Sequence, residues 1–234
     1  MARSSSSWLA RRFESALAGG FAQAWRSVQV EPQRFLAELQ SEYGLPVRSF
    51  SEIALLPVEQ VDAIADRTIK TAIRMAALEG AGFGAFGIFA LVPDTVVLAA
   101  ISVQMLQKLS LIYGFEFTSE RERAELWLAA ASAVGLDLSK DWLEREVLER
   151  FVPRIMIKVS ERLGIELAER AAAKVVPILS SALGGALNYW FVRRWGRRIQ
   201  RHFREKHLQA RGASLKVEAP YPLPILQRHL VEPN

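Results

Sequence analysis

Residues 80–103 read GAGFGAFGIFALVPDTVVLAAISV and contain one charged side chain, that of Asp94. A segment this apolar is long enough to cross a bilayer, to form a buried helical hairpin, or to line a pocket for a hydrophobic ligand. Pro93 and Asp94 weigh against a crossing, because they divide the segment and because a charged Asp near the bilayer centre costs about 2.5–3.5 kcal/mol. We predict two buried helices that meet at Pro93. Asp94 either caps the second helix or serves as a polar anchor in an apolar pocket.

The glycines of this segment match the sequence pattern of a nucleotide-binding motif. Gly82, Gly84 and Gly87 match the pattern G-x-G-x-x-G. That site requires a preceding strand and an acidic residue about twenty positions later, whereas the preceding pattern here is helical and Gln107 stands at that position. We therefore interpret the glycines as a small-residue helix face. Gly80 and Gly84 lie one turn apart on it and allow a second helix to approach closely.

A second apolar segment repeats this arrangement about a hundred residues later. Residues 175–192 read VVPILSSALGGALNYWFV. Ser180 and Gly184 are four residues apart, and Gly185 and Asn188 follow them closely. Small-residue faces pack helix against helix. We predict that the two apolar segments pack on each other or on a common ligand, with Asn188 forming a hydrogen bond between helices.

Polarity is strongly segregated along the 234 residues. The chain is 24% charged, yet its mean hydropathy is +0.10, and its net charge is +5. Residues 193–211 alone carry eight basic side chains and one acid, which gives them a charge of +7. Aromatic side chains are interleaved with these cations. The sequence contains no cysteine, which excludes disulfides and thiolate metal sites and fits a reducing compartment.

The basic segment predicts an anionic partner. Each Lys or Arg near an anionic membrane surface contributes about 1 kcal/mol of binding energy. Nucleic acid is disfavoured as a partner, because no helix-turn-helix, zinc-finger or RNA-recognition motif accompanies the cations. The third interpretation is a solvated helix face whose cations pair with the acids of residues 144–149.

The residue pattern predicts an all-α fold in a single helical domain. Ala, Leu, Glu and Arg dominate between the helix breakers, and hairpin signals are missing. Residues 1–50 form amphipathic N-terminal helices, residues 51–211 the helical core, and residues 212–234, with four prolines, an extended tail. Helices are predicted to start at Pro32, Pro57, Pro93, Ser119 and Pro177, to end near Gly44, Leu78, Gly114 and Gly135, and to be bent or interrupted at Pro153.

The N-terminal helix has its own apolar stripe. The stripe either docks onto the core or, with two neighbouring arginines, lies in a membrane interface. It consists of Leu9, Phe13, Leu17, Phe21 and Trp25.

Several short motifs stand out along the chain. They are Leu56-Pro57-Val58-Glu59-Gln60-Val61-Asp62, Ala76-Ala77-Leu78-Glu79-Gly80, Val92-Pro93-Asp94, Tyr113-Gly114-Phe115, Val176-Pro177 and Gly184-Gly185-Ala186-Leu187-Asn188-Tyr189-Trp190. Their order resembles that of the EcsC family, bacterial proteins named after the product of an operon that encodes an ABC transporter. The resemblance covers about residues 50–207, and it implies a mostly helical domain with membrane or transporter association and no established reaction.

The sequence does not indicate an enzyme. His202 and His207 are five residues apart, which does not suit a zinc-binding pair, and we expect both, with His229, to be exposed to solvent. No G-x-S-x-G motif is present. Asp62 and Asp66 belong to a charged pattern that is typical of a solvated helix face. We predict no cofactor and no metal.

Together these observations predict a non-enzymatic protein at the cytoplasmic, inner face of the cell membrane. It would bind a lipid or an acyl chain between the two apolar segments, with the basic helix at the anionic headgroups. The alternative is an accessory subunit of a membrane transporter, and an uncharacterised hydrolase comes third. The predicted ligand-binding residues are Gly80, Phe83, Gly84, Phe86, Gly87, Pro93, Asp94, Gly184, Gly185, Asn188, Arg193, Arg194, Arg197 and Arg198.

Overall fold

The computed structural model describes residues 2–83, 91–136, 148–173 and 181–218. All regular structure in these residues is helical, so the fold is all-α, as predicted. The helices are α1 Ala2–Ser27, α2 Pro32–Tyr43, α3 Phe50–Ile53, α4 Val58–Phe83, α5 Leu91–Ile112, α6 Glu120–Ala133, α7 Leu148–Ala173 and α8 Ser181–Glu218.

Local capping chemistry sets several helix ends where the sequence predicts them. Pro32 opens α2, and the Glu31 carboxylate accepts hydrogen bonds from the first free backbone N–H groups of that helix. Ser119 and Glu122 form a reciprocal capping box at the start of α6. Gly114 follows α5 with a φ of +89°, and a β-carbon there would lie 2.8 Å from the Phe50 carbonyl oxygen. Only glycine fits this turn without strain.

Two antiparallel helix pairs organise the molecule. In the pair α4–α8, Asp62 contacts Arg204 while Ile69 lies beside Gly196, so the helices run in opposite directions. In the pair α1–α7, the backbone of α1 at Ala10 and Glu14 packs directly on Gly164 of α7. Close packing without an intervening side chain is what a glycine on a helix face permits.

Helix α5 also runs antiparallel to α4, because Tyr113, just after its end, contacts Asp62 near the start of α4, while Met105 and Ile69 both lie against Gly196. These directions bring five helix ends together at one end of the molecule, which we call the apolar pole. Here α1, α5 and α8 begin, and α4 and α7 end. Ion pairs along α8 fix the positions of α6 and α7 along its axis. Glu125 of α6 pairs with Lys206, and Glu166 of α7 pairs with Arg194. The antiparallel register of α4 and α8 therefore carries the glycine-bearing end of α4 toward the glycine-bearing start of α8.

The core lies between these helices and contains large aromatic side chains. Trp127 and Trp195 are buried, and Phe21 of α1 contacts both of them, with ring centroids 5.8 Å apart in each case. Phe13 and Leu17 are buried beside them. The stripe of the N-terminal helix thus docks onto the core, which confirms the first of its two predicted roles.

Two predicted helix boundaries were wrong in detail. Helix α5 begins at Leu91, so Pro93 lies within its first turn, where the missing N–H costs no intrahelical hydrogen bond. Helix α7 continues through Pro153, which excludes the predicted interruption, while the alternative of a bend there stays a prediction. The predicted helix start at Pro177 lies outside the described residues. Helix α8 continues past Gly212 and ends at Glu218. A glycine inside a helix costs about 1 kcal/mol relative to alanine, which does not end the helix here. Residues 213–218 of the predicted extended tail are therefore helical, and residues 219–234 lie outside the described residues.

None of the helices in the described ranges combines the length and the hydropathy that crossing a membrane requires.

Candidate functional site

The predicted ligand-binding residues other than the arginines lie at or near the helix ends of the apolar pole, as far as the structure describes them. Gly80 and Phe83 lie in the last turns of α4, Pro93 and Asp94 in the first turn of α5, and Gly184 in the first turn of α8. Gly84, Phe86 and Gly87 lie outside the described residues. Further along α8, Gly185 and Asn188 are buried, so this face of the helix points into the molecule.

Three of the four predicted headgroup arginines pair with carboxylates of other helices. Arg194 and Arg198 both contact Glu166 of α7, at 3.6 and 3.5 Å, and Arg198 also donates to the Ala133 carbonyl at 2.8 Å. Arg197 pairs with Asp66 of α4.

The fourth arginine, Arg193, bonds within its own helix. It donates to the Tyr189 hydroxyl, 2.8 Å away. The side chains of the predicted partners, residues 144–149, lie outside the described residues, so that pairing stays a prediction. The described acids that pair with the basic segment of α8 lie on three other helices. They are Asp62, Asp66, Glu125 and Glu166.

Arginines and aromatic rings form three pairs near the apolar pole. In each pair the guanidinium carbon lies over the ring of the residue four positions earlier, one helical turn away. Cation–π contacts of this kind contribute about 0.5–1 kcal/mol at exposed sites. The pairs are Arg12 over Trp8 at 5.1 Å, Arg193 over Tyr189 at 5.8 Å and Arg194 over Trp190 at 5.5 Å.

Large apolar side chains are exposed at the same level of the molecule. Leu78 is 74% exposed and Met75 44%, and both lie near the end of α4, where the antiparallel register brings them level with the first turns of α8. Trp8 and Tyr189 are 45% and 42% exposed. We call the three arginine–aromatic pairs together with Met75 and Leu78 the pole surface.

A polar network joins α4, α5 and α8 toward the opposite end. The Tyr113 hydroxyl donates to one oxygen of Asp62 at 2.5 Å, and Arg204 Nε donates to the other at 2.8 Å. One turn further along α4, Asp66 accepts from Gln200 at 2.8 Å. Asp62 and Asp66 are only partly exposed, because the register of α8 places its cations and amide against them, and the predicted solvated face is to that extent corrected.

The surroundings of these groups shift their proton affinities. Burial, and then the hydrogen bond to Asp62, raises the pKa of Tyr113 far above its usual value, so the hydroxyl remains a donor. Burial also acts to raise the pKa of Asp66. The hydrogen bonds from Gln200 and Arg197 outweigh it, and the pKa lies below the ordinary carboxyl value.

Stability should therefore depend on the ionisation of Asp66. A carboxylate with a lowered pKa stabilises the folded state above its unfolded pKa of about 4, and this stabilisation is lost as the pH falls through the lowered value. We expect the urea midpoint of Asp66→Asn to lie below that of the wild type at about pH 7, and the difference to shrink at about pH 3. A difference that stays constant between these pH values would contradict the assignment.

His207 is fully buried, so the prediction of an exposed histidine was wrong for this residue. Its Nδ1 lies 3.3 Å from the Tyr113 carbonyl oxygen and its Nε2 lies 3.4 Å from that of Leu56. His202 is partly buried, and burial, followed by the charge of Lys206, lowers its pKa. The signal for His207 was present in the sequence, since it continues the inward stripe of Ile199 and Phe203 at helical spacing.

The network links three helices through hydrogen bonds and ion pairs. It satisfies the polar groups of three helices within a mostly apolar core, as buried polar atoms require. Among the described residues, no cluster of His, Asp and Glu side chains is arranged to hold a metal ion.

Comparisons with known proteins show which family the chain belongs to. A family model of the EcsC protein family matches residues 7–208, which include the N-terminal helix as well as the basic segment. The chain is 27% identical over 146 residues to Protein EcsC of Bacillus subtilis (strain 168). The alignment covers 59% of this chain and 60% of that relative, so the chain spans less than two thirds of its length. No solved structure matches the chain significantly. The chain belongs to the EcsC protein family.

Proposed function

We propose that the protein binds anionic membranes peripherally, at the inner face of the cell membrane, with the pole surface facing the lipid. The observation that carries the proposal is the set of three arginine–aromatic pairs on two helices at one end of the molecule. Trp and Tyr favour the headgroup level of a bilayer because one part of each ring is apolar and the other forms hydrogen bonds. Arginines beside them attract anionic headgroups.

The exposed aliphatic side chains supply the apolar part of such an interaction. Leu78 and Met75 project from the same end of the molecule. Fully burying a side chain of this kind contributes about 1.5–3 kcal/mol. Each nearby cation adds about 1 kcal/mol at an anionic surface. Several such contributions together reach the affinity of a reversible peripheral protein.

The small-residue ends of α4 and α8 give the proposal a second part. The antiparallel register carries the end of α4, with Gly80, toward Gly184 and Gly185 of α8. Small residues let two helix faces approach closely, and an acyl chain that separates such faces meets no large side chain between them. We propose that a lipid chain enters between these ends, and that its headgroup lies near Arg193.

Flotation with liposomes tests the membrane part directly. Leu78→Glu removes an aliphatic side chain that is 74% exposed and adds a negative charge at an anionic surface. We expect it to weaken binding to phosphatidylglycerol-containing vesicles by roughly thirtyfold, which corresponds to about 2 kcal/mol. The matched control is Leu208→Glu, which places the same charge on an exposed leucine of α8 away from the pole.

Two outcomes would contradict the proposal. One is a wild-type protein that does not float with phosphatidylglycerol vesicles, and the other is an equal effect of both substitutions. Failure to float, combined with co-purification of an integral membrane protein, would favour the accessory-subunit alternative.

A further inference from the structure

A groove of about 440 Å³ lies between α1, α6 and α7, away from the pole surface and from the polar network. One wall is formed by Ala18 and Ala22, which are one turn apart on α1. The facing wall carries Val152, Met156 and Ile157 of α7. The volume falls within the range of pockets that bind small molecules.

The body of the groove is apolar and open to solvent. The two alanines leave the wall of α1 recessed, because their side chains end at the β-carbon. Across from them Ile157 is 53% exposed, although it is a large aliphatic side chain. The Trp25 ring also lines the groove and packs on the core at Trp127, with ring centroids 5.6 Å apart. A hydrophobic ligand would cover apolar surface that the folded chain leaves in water.

One end of the groove is positively charged. Arg26 follows Ala22 by one turn of α1, and Arg123 and Glu120 come from the first turn of α6. Arg123 donates to the Thr118 carbonyl at 2.5 Å, and a guanidinium has five N–H donors, so others remain for a ligand. Two cations and one carboxylate line this end of the groove, so its lining carries a net positive charge.

We propose that this groove binds a free fatty acid. The carboxylate lies between Arg26 and Arg123, and the chain runs along Ala22 and Ala18 against Ile157. The distance from Ala18 to Arg26 along α1 is about 12 Å at 1.5 Å per residue, which suits a chain of medium length. A carboxylate and a guanidinium form strong, charge-assisted hydrogen bonds.

Isothermal titration calorimetry with laurate, without membranes, tests the proposal. We expect the wild type to bind laurate saturably. Ala22→Phe should weaken laurate binding by about tenfold or more, because the phenyl ring fills the groove. A tenfold weakening corresponds to a loss of about 1.4 kcal/mol of binding free energy. The matched control is Gly19→Phe on the same helix, where a β-carbon meets no atom within 4 Å, and laurate binding should be unchanged. Ile157→Glu, at an exposed position that folding tolerates, should weaken binding to a similar degree.

The role of the ligand's negatively charged headgroup is tested separately. Arg123→Gln should weaken laurate binding several-fold, and dodecyltrimethylammonium, which has the same chain and a cationic head, should bind at least about tenfold more weakly than laurate. Absence of laurate binding, equal binding of the cationic amphiphile, or unchanged binding by both Ala22→Phe and Ile157→Glu would each overturn the proposal. Since no bilayer takes part, this result is independent of the flotation experiment.

Discussion

Replacing Gly164 by Leu is expected to lower the free energy of unfolding by about 3 kcal/mol or more, the upper range for overpacking a close contact. A β-carbon at this position would lie 2.8 Å from the backbone nitrogen of Glu14 and 3.0 Å from the Ala10 carbonyl oxygen. Both atoms belong to the backbone of α1, so no side-chain rotation relieves the overlap. The two helices must separate, and Phe13 and Leu17 then lose part of their packing.

Thermal unfolding followed by far-ultraviolet circular dichroism measures this effect. For a chain of this size, a loss of about 3 kcal/mol lowers Tm by roughly 6–12 °C. Gly19→Leu is the matched control, because Gly19 lies on α1 and a β-carbon there meets no atom within 4 Å. That substitution should stabilise the protein by about 0.5–1 kcal/mol through helix propensity alone. Equal behaviour of the two variants would refute the close packing of α1 on α7.

Asp62→Ala should destabilise the protein by about 2–4 kcal/mol. Asp62 is the acceptor for the Tyr113 hydroxyl, and Tyr113 is fully buried. Without the carboxylate, a buried donor loses its acceptor, and such a loss costs more than the hydrogen bond itself contributes. The pairing of α4 with α8 also loses its contact to Arg204. Urea denaturation at neutral pH measures the change.

The effect should depend on the tyrosine. Tyr113→Phe removes the hydrogen-bond donor and should by itself cost only about 1 kcal/mol of stability. In the Tyr113→Phe background, Asp62→Ala should therefore destabilise the protein less than it does in the wild type. The coupling free energy of the two substitutions should be about 0.5–3 kcal/mol. Glu59→Ala, at an exposed position on the same helix, should change stability by less than about 0.5 kcal/mol. Additive effects of the Asp62 and Tyr113 substitutions would show that the hydrogen bond is not significant.

The sequence predicts those features that depend on neighbouring residues. Pro32, Gly44 and the Ser119–Glu122 capping box act within one helical turn, and the structure has helix ends at or next to all of them. The all-α class follows in the same way from composition and spacing.

The features that were missed depend on which helices meet. Asp62 and Asp66 look like solvated acids when α4 is considered alone, and only the register of α8 brings Arg204 and Gln200 to them. Sequence distance gave no indication that Glu166 pairs with Arg198, because that contact requires the packing of two whole helices.

The length of α8 has a mechanical consequence. Its 38 residues extend over about 57 Å at 1.5 Å per residue, from the apolar pole past the polar network. A helix that stays continuous acts as a lever, because a tilt of about 5° at one end displaces the other by about 5 Å over this length. If the helix stays straight, a change in the angle at which Tyr189 and Arg193 meet their surroundings is carried along it toward Glu218.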